Sequence, residues 1–179
     1  MPSFRSIDSR ADIPEGFQGT AVADLLGYHN FEEPLREEAA PRLLVGMCMD
    51  HRKMLRMPCG FAYVIRNGGG TLVHSRFHIS YAISVGGIGA IAVVGHSKCG
   101  MVGLDANRQA FVRGLVNRAG WDGTEAREHF LESAPECEIR DSVAYTIEQV
   151  MELRQEYPRI PVAPLFYKIE DNRIYWIET

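Results

Sequence analysis

The run Ile91-Ala92-Val93-Val94 constrains this chain most. Four consecutive apolar residues, three of them β-branched, stop abruptly at Gly95. A strand with one wet face alternates apolar and polar residues. An unbroken apolar run of this length belongs to a strand covered on both faces, as in the parallel sheets of α/β proteins. Directly after it come His96, Cys99 and Gly100. A second run of the same character, Leu43-Leu44-Val45, is followed by Cys48, Asp50 and Arg52. Two buried strands thus deliver soft metal ligands to their C-terminal ends, the edge at which open α/β sheets build their sites.

The remaining pattern supplies the partners such strands need. Residues 1–18 are polar, with Pro2, Pro14 and Gly16, and read as an arm without its own core. Val22, Leu25, Leu26 and Tyr28 predict an amphipathic helix over 20–31, weakened by Gly27. The charged stretch 32–41, with two prolines, is a connector or a short helix. Residues 1–40 carry little apolar surface, which suggests an arm that packs on a neighbouring subunit; residues 41–179 form a single α/β domain. Within it, 51–58 is a basic, Met-rich loop or short helix, and 61–65 is a second strand. Gly68-Gly69-Gly70 allows positive φ and close backbone approach. A helix is expected over 71–85, with Phe77, Tyr81, Ala82 and Val85 on one side and Gly86-Gly87 as its stop. Another is expected over 100–116, with its N-terminus at the candidate site. Asp122 or Thr124 caps a short helix through Glu132. Ile139, Val143, Ile147, Val150 and Met151 mark a helix over 138–156, and strands at 162–169 and 174–177 meet at the turn Asp171-Asn172. This order implies an α/β fold with a mainly parallel central sheet, an antiparallel edge strand and flanking helices.

Composition narrows the chemistry. The 179 residues carry a net charge of −4 with both signs mixed along the chain, which argues against a nucleic-acid surface or a polybasic membrane patch. No apolar run approaches the roughly 20 residues of a membrane span. The N-terminus lacks the apolar core of a secretory signal, so a cytoplasmic protein is expected. Its four cysteines, Cys48, Cys59, Cys99 and Cys137, then favour metal or reactive roles over a disulfide framework. Zinc takes thiolate and imidazole ligands tetrahedrally, and Cys48, His96 and Cys99 would supply three. Asp50 is a fourth ligand or a nearby hydrogen-bond acceptor. Arg52, on the same side of an extended backbone, would hold Asp50 off the metal, unless the pair is only a structural ion pair. His74 and His78 form either a second metal pair or an exposed helix face. Cys59 and Cys137 read as incidental thiols.

Taken together, CMDHR, IRNGGG and GHSKCGM resemble the Cys-x-Asp-x-Arg, Arg-Asn-Ala-Gly and His-x-x-Cys-Gly signatures of the β-class carbonic anhydrases. The likeness runs from about 43 to 103 and weakly into the last helix and the closing hairpin. It implies a Zn²⁺ cofactor on Cys48, His96 and Cys99, a catalytic pair Asp50 and Arg52, and Gly69 and Gly100 beside the substrate. It further implies hydration of CO₂ to bicarbonate by attack of a zinc-bound hydroxide, in a homodimer or higher homo-oligomer. Gly68 stands where the family usually has Ala, and Lys98 places an atypical charge inside the His-x-x-Cys motif. Relatives with the same ligands hydrolyse carbonyl sulfide or carbon disulfide, so these remain alternatives, as does a non-catalytic zinc-binding module.

Overall fold

The apolar run at 91–94 lies within strand β4 (Ala90–His96), whose seven residues are all buried. The computed structural model describes residues 3–35 and 40–178. Six strands form one sheet in the order β1-β6-β5-β4-β2-β3. The others are β1 (Phe4–Arg5), β2 (Leu43–Cys48), β3 (Ala62–Asn67), β5 (Val162–Lys168) and β6 (Arg173–Ile177). Strands β3, β2, β4 and β5 run parallel, and β6 and β1 close the sheet antiparallel. The α/β class expected from sequence is the observed one.

Alternation along the central strands divides the core into two layers. Leu43, Val45, Met47, Ala92, Val94, Ala163 and Leu165 face one side. There they pack against helix α1 (Ala21–Phe31) and the N-terminal segment. Leu44, Ile91, Val93 and Val162 face the other, against Ile79 and Ala82 of helix α2 (Arg76–Ser84) and Val150 and Leu153 of a longer helix at 142–156. Because both faces are covered, the strands need no polar face, which is why they read as continuous apolar runs.

The segment before residue 41 contributes more to this core than its composition suggests. Ile7, Ile13, Val22, Leu25 and Leu26 are buried in the chain's own first layer. Two polar side chains of α1 fasten it to the far edge of the sheet. Asn30 donates to the carbonyls of Ile7 (3.1 Å) and Ile174 (2.8 Å) and accepts from the Ile174 amide (3.0 Å). His29 accepts from the Arg56 amide at Nδ1 (2.9 Å), so Nε2 carries the proton given to the Asn172 carbonyl (2.9 Å). The connector expected over 32–41 lies partly outside the described residues.

Several helix boundaries differ from the sequence reading. No helix starts at Gly100. The chain turns through Gly103 (φ 63°), forms a 3₁₀ turn at Leu104–Asn107, and only then enters α3 (Arg108–Gly114). The reason is long-range: the Ile139 amide donates to the Met101 carbonyl (3.0 Å), and Val102 and Ile139 form a bridge that holds this stretch extended. Ile139 therefore lies outside the helix expected over 138–156. That helix, α5 (Ser142–Glu156), starts one turn later, where Asp141 caps the amides of Val143 (3.0 Å) and Ala144 (2.7 Å). Helix α4 (Gly123–Cys137), capped by Asp122, runs one turn beyond Glu132. Helix α2 begins at Arg76 and not at Thr71, and 51–58 is a loop without a helix.

Gly95 fixes how closely α5 approaches the sheet. A Cβ there would collide with the Thr146 hydroxyl and lie 3.1 Å from the Ser142 carbonyl. Thr146 cannot simply rotate away, because its hydroxyl donates to that same carbonyl (2.7 Å). Gly95→Ala is expected to cost about 1–3 kcal/mol, the usual range for overpacking a core. Urea unfolding measures this; a midpoint equal to wild type would show that α5 is not seated as described.

Candidate metal centre

Register delivers the site. Strand β2 pairs with β3 so that Cys48 is level with Asn67, and with β4 so that Met47 is level with Val94. His96 therefore stands at the end of β4 beside Cys48, and the turn after it returns Cys99. One ligand atom from each of Cys48, His96 and Cys99 lies within 4.8 Å of the others, and all three residues are buried. This is the cluster the sequence spacing assembled. The sulfurs are 3.9 Å apart, close to the roughly 3.8 Å separating two thiolates about 2.3 Å from a tetrahedral zinc. His96 Nδ1 lies 2.9 Å from the Ser97 carbonyl, which can only accept. That contact places the proton on Nδ1 and leaves a lone pair on Nε2. Among the described residues, His96 Nε2 and Lys53 Nζ are the buried side-chain polar atoms without a hydrogen-bond partner. An orphaned imidazole nitrogen beside two thiols, with its other nitrogen fixed by a carbonyl, fits a divalent soft-metal site.

Charge is arranged around this cluster. The two sulfurs lie within reach of a shared S–H contact. The contact with Cys99 pulls the Cys48 thiol far below its ordinary range, and the same contact together with burial pushes the Cys99 thiol up. Backbone amides at Asp50 and Met101 also favour the respective thiolates. Asp50 and Arg52 sit at the rim. Arg52 donates to Asp50 through Nε (3.0 Å), a terminal nitrogen (2.6 Å) and its own amide (2.9 Å). These bonds hold the Asp50 carboxyl well below the usual carboxylate range. The same guanidinium donates to the Lys98 carbonyl (2.8 Å) and so ties the two ligand-bearing loops together. Lys98 adopts the left-handed conformation (φ 54°), which costs a non-glycine residue about 1–2 kcal/mol. Its ammonium pairs with Glu170 (3.1 Å), away from the sulfurs.

The glycine loop is held from outside. Gln149 of α5 accepts from the Leu72 amide (2.8 Å) and donates to the Gly70 carbonyl (3.2 Å), and Tyr145 donates to Thr71 (2.9 Å). Gly70 has φ 75°, and a Cβ there would press on the Cys48 amide at 3.2 Å. Of the two glycines expected beside the substrate, Gly100 has open space where a side chain would point. Gly69 instead packs against Ile139. His74 pairs with Glu136 (3.6 Å) on the surface, and no metal cluster among the described residues includes His74 or His78. All four cysteines are free thiols.

Beyond the candidate ligands, Arg66 of the IRNGGG stretch and Lys53, which no sequence signal marks, shape the site. Arg66 donates to the carbonyls of Cys48 (3.3 Å) and Asp50 (2.7 Å) and stiffens the end of β2. Lys53 is fully buried, and burial lowers its ammonium from the ordinary 10.5 to about 8 despite the attraction of Cys48. The unfolded chain then binds more protons than the folded one between those values. Wild-type stability contributed by Lys53 is lowest below pH 8 and recovers as the pH rises toward 10.5. In metal-free protein, Lys53→Met is expected to stabilise the fold at pH 7 by up to about 3 kcal/mol, with the gain shrinking above pH 8. Chemical denaturation at pH 7 and 10 checks this, and destabilisation at pH 7 would mean the ammonium is effectively paired.

The family model for carbonic anhydrase matches residues 43–171. Among solved structures, the chain is similar to β-carbonic anhydrase isoform I of Trichomonas vaginalis. The identity is 20% and the TM-score 0.61, covering 86% of this chain and 92% of that one. It is also similar to a carbonic anhydrase from Streptococcus mutans at 17% identity and TM-score 0.58, covering 93% and 100%. A carbon disulfide hydrolase in its apo form matches at 21% identity and TM-score 0.52, covering 75% and 77%. No curated protein sequence matches the chain. Likeness at these identities speaks to the fold, whereas the family model spans most of the chain, including every candidate ligand. The chain belongs to the carbonic anhydrase family, in its β class.

Proposed function

We propose that this protein is a zinc-dependent carbonic anhydrase that interconverts CO₂ and water with bicarbonate and a proton, acting as a cytoplasmic homodimer or higher homo-oligomer. Cys48, His96 and Cys99 hold the ion, and zinc bound there supplies the Lewis acidity that makes water a nucleophile near neutral pH. Asp50 orients the attacking water. Both its oxygens receive bonds from Arg52, but a carboxylate has about four lone-pair sites and retains capacity for one more donor. Arg52 keeps Asp50 ionised and aimed. The open space at Gly100 lets substrate approach the backbone there, and an amide at Gly100 or Gly69 would steady a product oxygen. His51 is exposed near the rim and can pass the released proton to buffer. Among the described residues no helix is long and apolar enough to cross a membrane, and nothing in the charge pattern suggests a nucleic-acid partner.

The observation that carries this reading is the unpartnered His96 Nε2 beside two sulfurs 3.9 Å apart, with the Asp50–Arg52 pair at the rim. Stopped-flow CO₂ hydration on protein of measured zinc content tests it. Asp50→Ala is expected to retain zinc and lose about 10²-fold or more in kcat. The stabilising Asp50–Arg52 pair is fully present above the ordinary carboxylate value of 3.8 and is lost only as the pH falls below it. The wild-type rate should therefore show no limb from Asp50 between pH 5 and 9. Zinc-loaded protein without CO₂ turnover would sink the reading.

A second reading has its own observation. A cavity of about 290 Å³ is lined by Met49, Gly68, Met101, Phe111, Phe130 and Cys137, among others. Met49 adjoins the ligand Cys48, and Met101 lies two residues past Cys99. This apolar, sulfur-lined wall suits COS or CS₂ as well as CO₂. Sulfide release from either gas, with poor CO₂ hydration, would select a hydrolase. A non-catalytic zinc module predicts instead that Cys48→Ser unfolds the protein and that wild type has no activity on any of the three gases.

A further inference from the structure

The α3–α4 hairpin carries a charge pattern that the metal centre does not use. From Asn107 to Trp121 the chain has Arg108, Arg113 and Arg118 and no acid, although its net charge is −4. Arg108, Gln109, Val112 and Arg113 recur at helical spacing and share one face of α3. Together with Asp105 before α3 and Arg127 of α4 they line a cavity of about 630 Å³. Small-molecule sites occupy roughly 300–1,000 Å³. A second cavity, of about 250 Å³, is lined by Arg113, Asn117 and Arg118, so Arg113 stands between the two.

Little within the protein neutralises these arginines. Asp105 pairs with Arg108 through one terminal nitrogen (2.6 Å). Among the described residues, neither Arg113 nor Arg127 pairs with a carboxylate. Neither has an acid three or four positions away along its helix, where such pairs form. A face that is only solvated mixes both signs. The hairpin does not need the arginines for packing either. Helix α3 meets α4 through Phe111, whose ring lies 5.2 Å from that of Phe130 and 5.9 Å from that of His129. Like charges that converge on one cavity oppose this packing, and an anion between them would reverse the sign.

We propose that the cavity between α3 and α4 is a binding site for a diphosphate-bearing small molecule. Guanidinium groups present planar forks that match phosphate oxygens two at a time. Asp105 already occupies part of Arg108, which leaves the forks of Arg113 and Arg127 for the two phosphoryl groups. A weak single anion cannot use both. Gln109 adds an amide, and Ala106 and Val112 offer an apolar floor to an organic body. Bound there, the anion ties α3 to α4, the helices whose Phe111 and Phe130 line the cavity beside the candidate metal centre. The binding does not rest on the reaction proposed at that centre, so either can fail alone.

The test is isothermal titration calorimetry of the full zinc-loaded chain in magnesium-free buffer, with pyrophosphate as one probe and ADP as the other. Wild type, Arg113→Ala/Arg127→Ala and the control Arg159→Ala, an exposed arginine after α5, are compared. Alanine favours the helix, so the double variant keeps the hairpin folded. Wild type and the control are expected to bind one probe molecule per chain. The double variant is expected to bind at least about 10-fold more weakly, since each guanidinium makes charge-assisted bonds. Hydrogen exchange locates the site: pyrophosphate is expected to slow exchange over 108–127. Tighter binding of ADP identifies an organic diphosphate and equal binding identifies the diphosphate alone; both support the proposal. No binding of either probe, equal binding by the double variant, or protection over 96–103 instead, which would place the anion on the metal, overturns it. Capture by phosphatidylserine vesicles without binding of either soluble probe also overturns it, in favour of a membrane surface.

Discussion

The site depends first on the hydrogen-bond register of one strand. Strand β2 is the shared partner of β3 and β4, and all six of its residues are buried. Its residues alternate between two filled layers: Leu43, Val45 and Met47 face α1, and Leu44 faces α2 and α5. A slip by one residue would exchange these sets and turn Cys48 away from Cys99. The apolar core therefore specifies the position of the candidate ligands, and Ile139 packs directly with Cys48 and Cys99. Gly46 belongs to the same constraint: Leu72 packs so closely on β2 that a Cβ at Gly46 would lie 2.8 Å from it. Leu72 in turn leads from the glycine loop, which Gln149 fastens to α5.

Charge at the centre is balanced by groups that are themselves constrained. Two buried sulfurs in contact favour a thiolate at Cys48, and the Lys98 ammonium pairs with Glu170. Arg52 is held at the rim by four hydrogen bonds, three to Asp50 and one to the Lys98 carbonyl. Among the described residues Lys53 is the one buried ammonium, and its burial outweighs the attraction of the sulfurs. A buried cation without a hydrogen-bond partner destabilises the fold, and under the proposed function its charge would offset that of the sulfurs beside it.

What could be read in the sequence follows from how far each signal reaches along the chain. Strands β2, β4 and β5 were legible because double-sided burial writes a nearly unbroken apolar run, and the Cys48–His96–Cys99 cluster because the ends of β2 and β4 carry Cys and His; β3, half-exposed at the sheet edge, was legible from its apolar residues alone. Strand β1 was not, since two residues carry no periodicity and Phe4–Arg5 becomes a strand only by pairing with β6. The delayed start of α3 depends on Met101 and Val102 meeting Ile139, 38 and 37 positions away in the chain. The burial of Ile7 and Ile13 depends on Asn30 pinning their segment to Ile174. Lys53 sits in a stretch of basic residues and looks like its solvated neighbours. Only the closed fold distinguishes it.

Under the proposed function, substrate choice would be made at the wall around the candidate metal centre. The ligands, the Asp50–Arg52 pair and the strands beneath them are common to any reaction in which water attacks a linear triatomic, so they do not separate CO₂ from its sulfur analogues. Discrimination falls to the wall that meets the outer atoms of the substrate. Here that wall is built by Met49 and Met101, each within two residues of a ligand, with Phe111, Phe130 and Cys137 from the α3–α4 hairpin. That hairpin is largely exposed, and Ala126 and Phe130 are its buried anchors on α4. Thioether side chains are polarisable and adapt to irregular space, so they accept a larger, softer sulfur atom with less strain than branched aliphatics would. Under the proposed function, selectivity would thus fall to a largely exposed hairpin and reactivity to the ends of the buried strands.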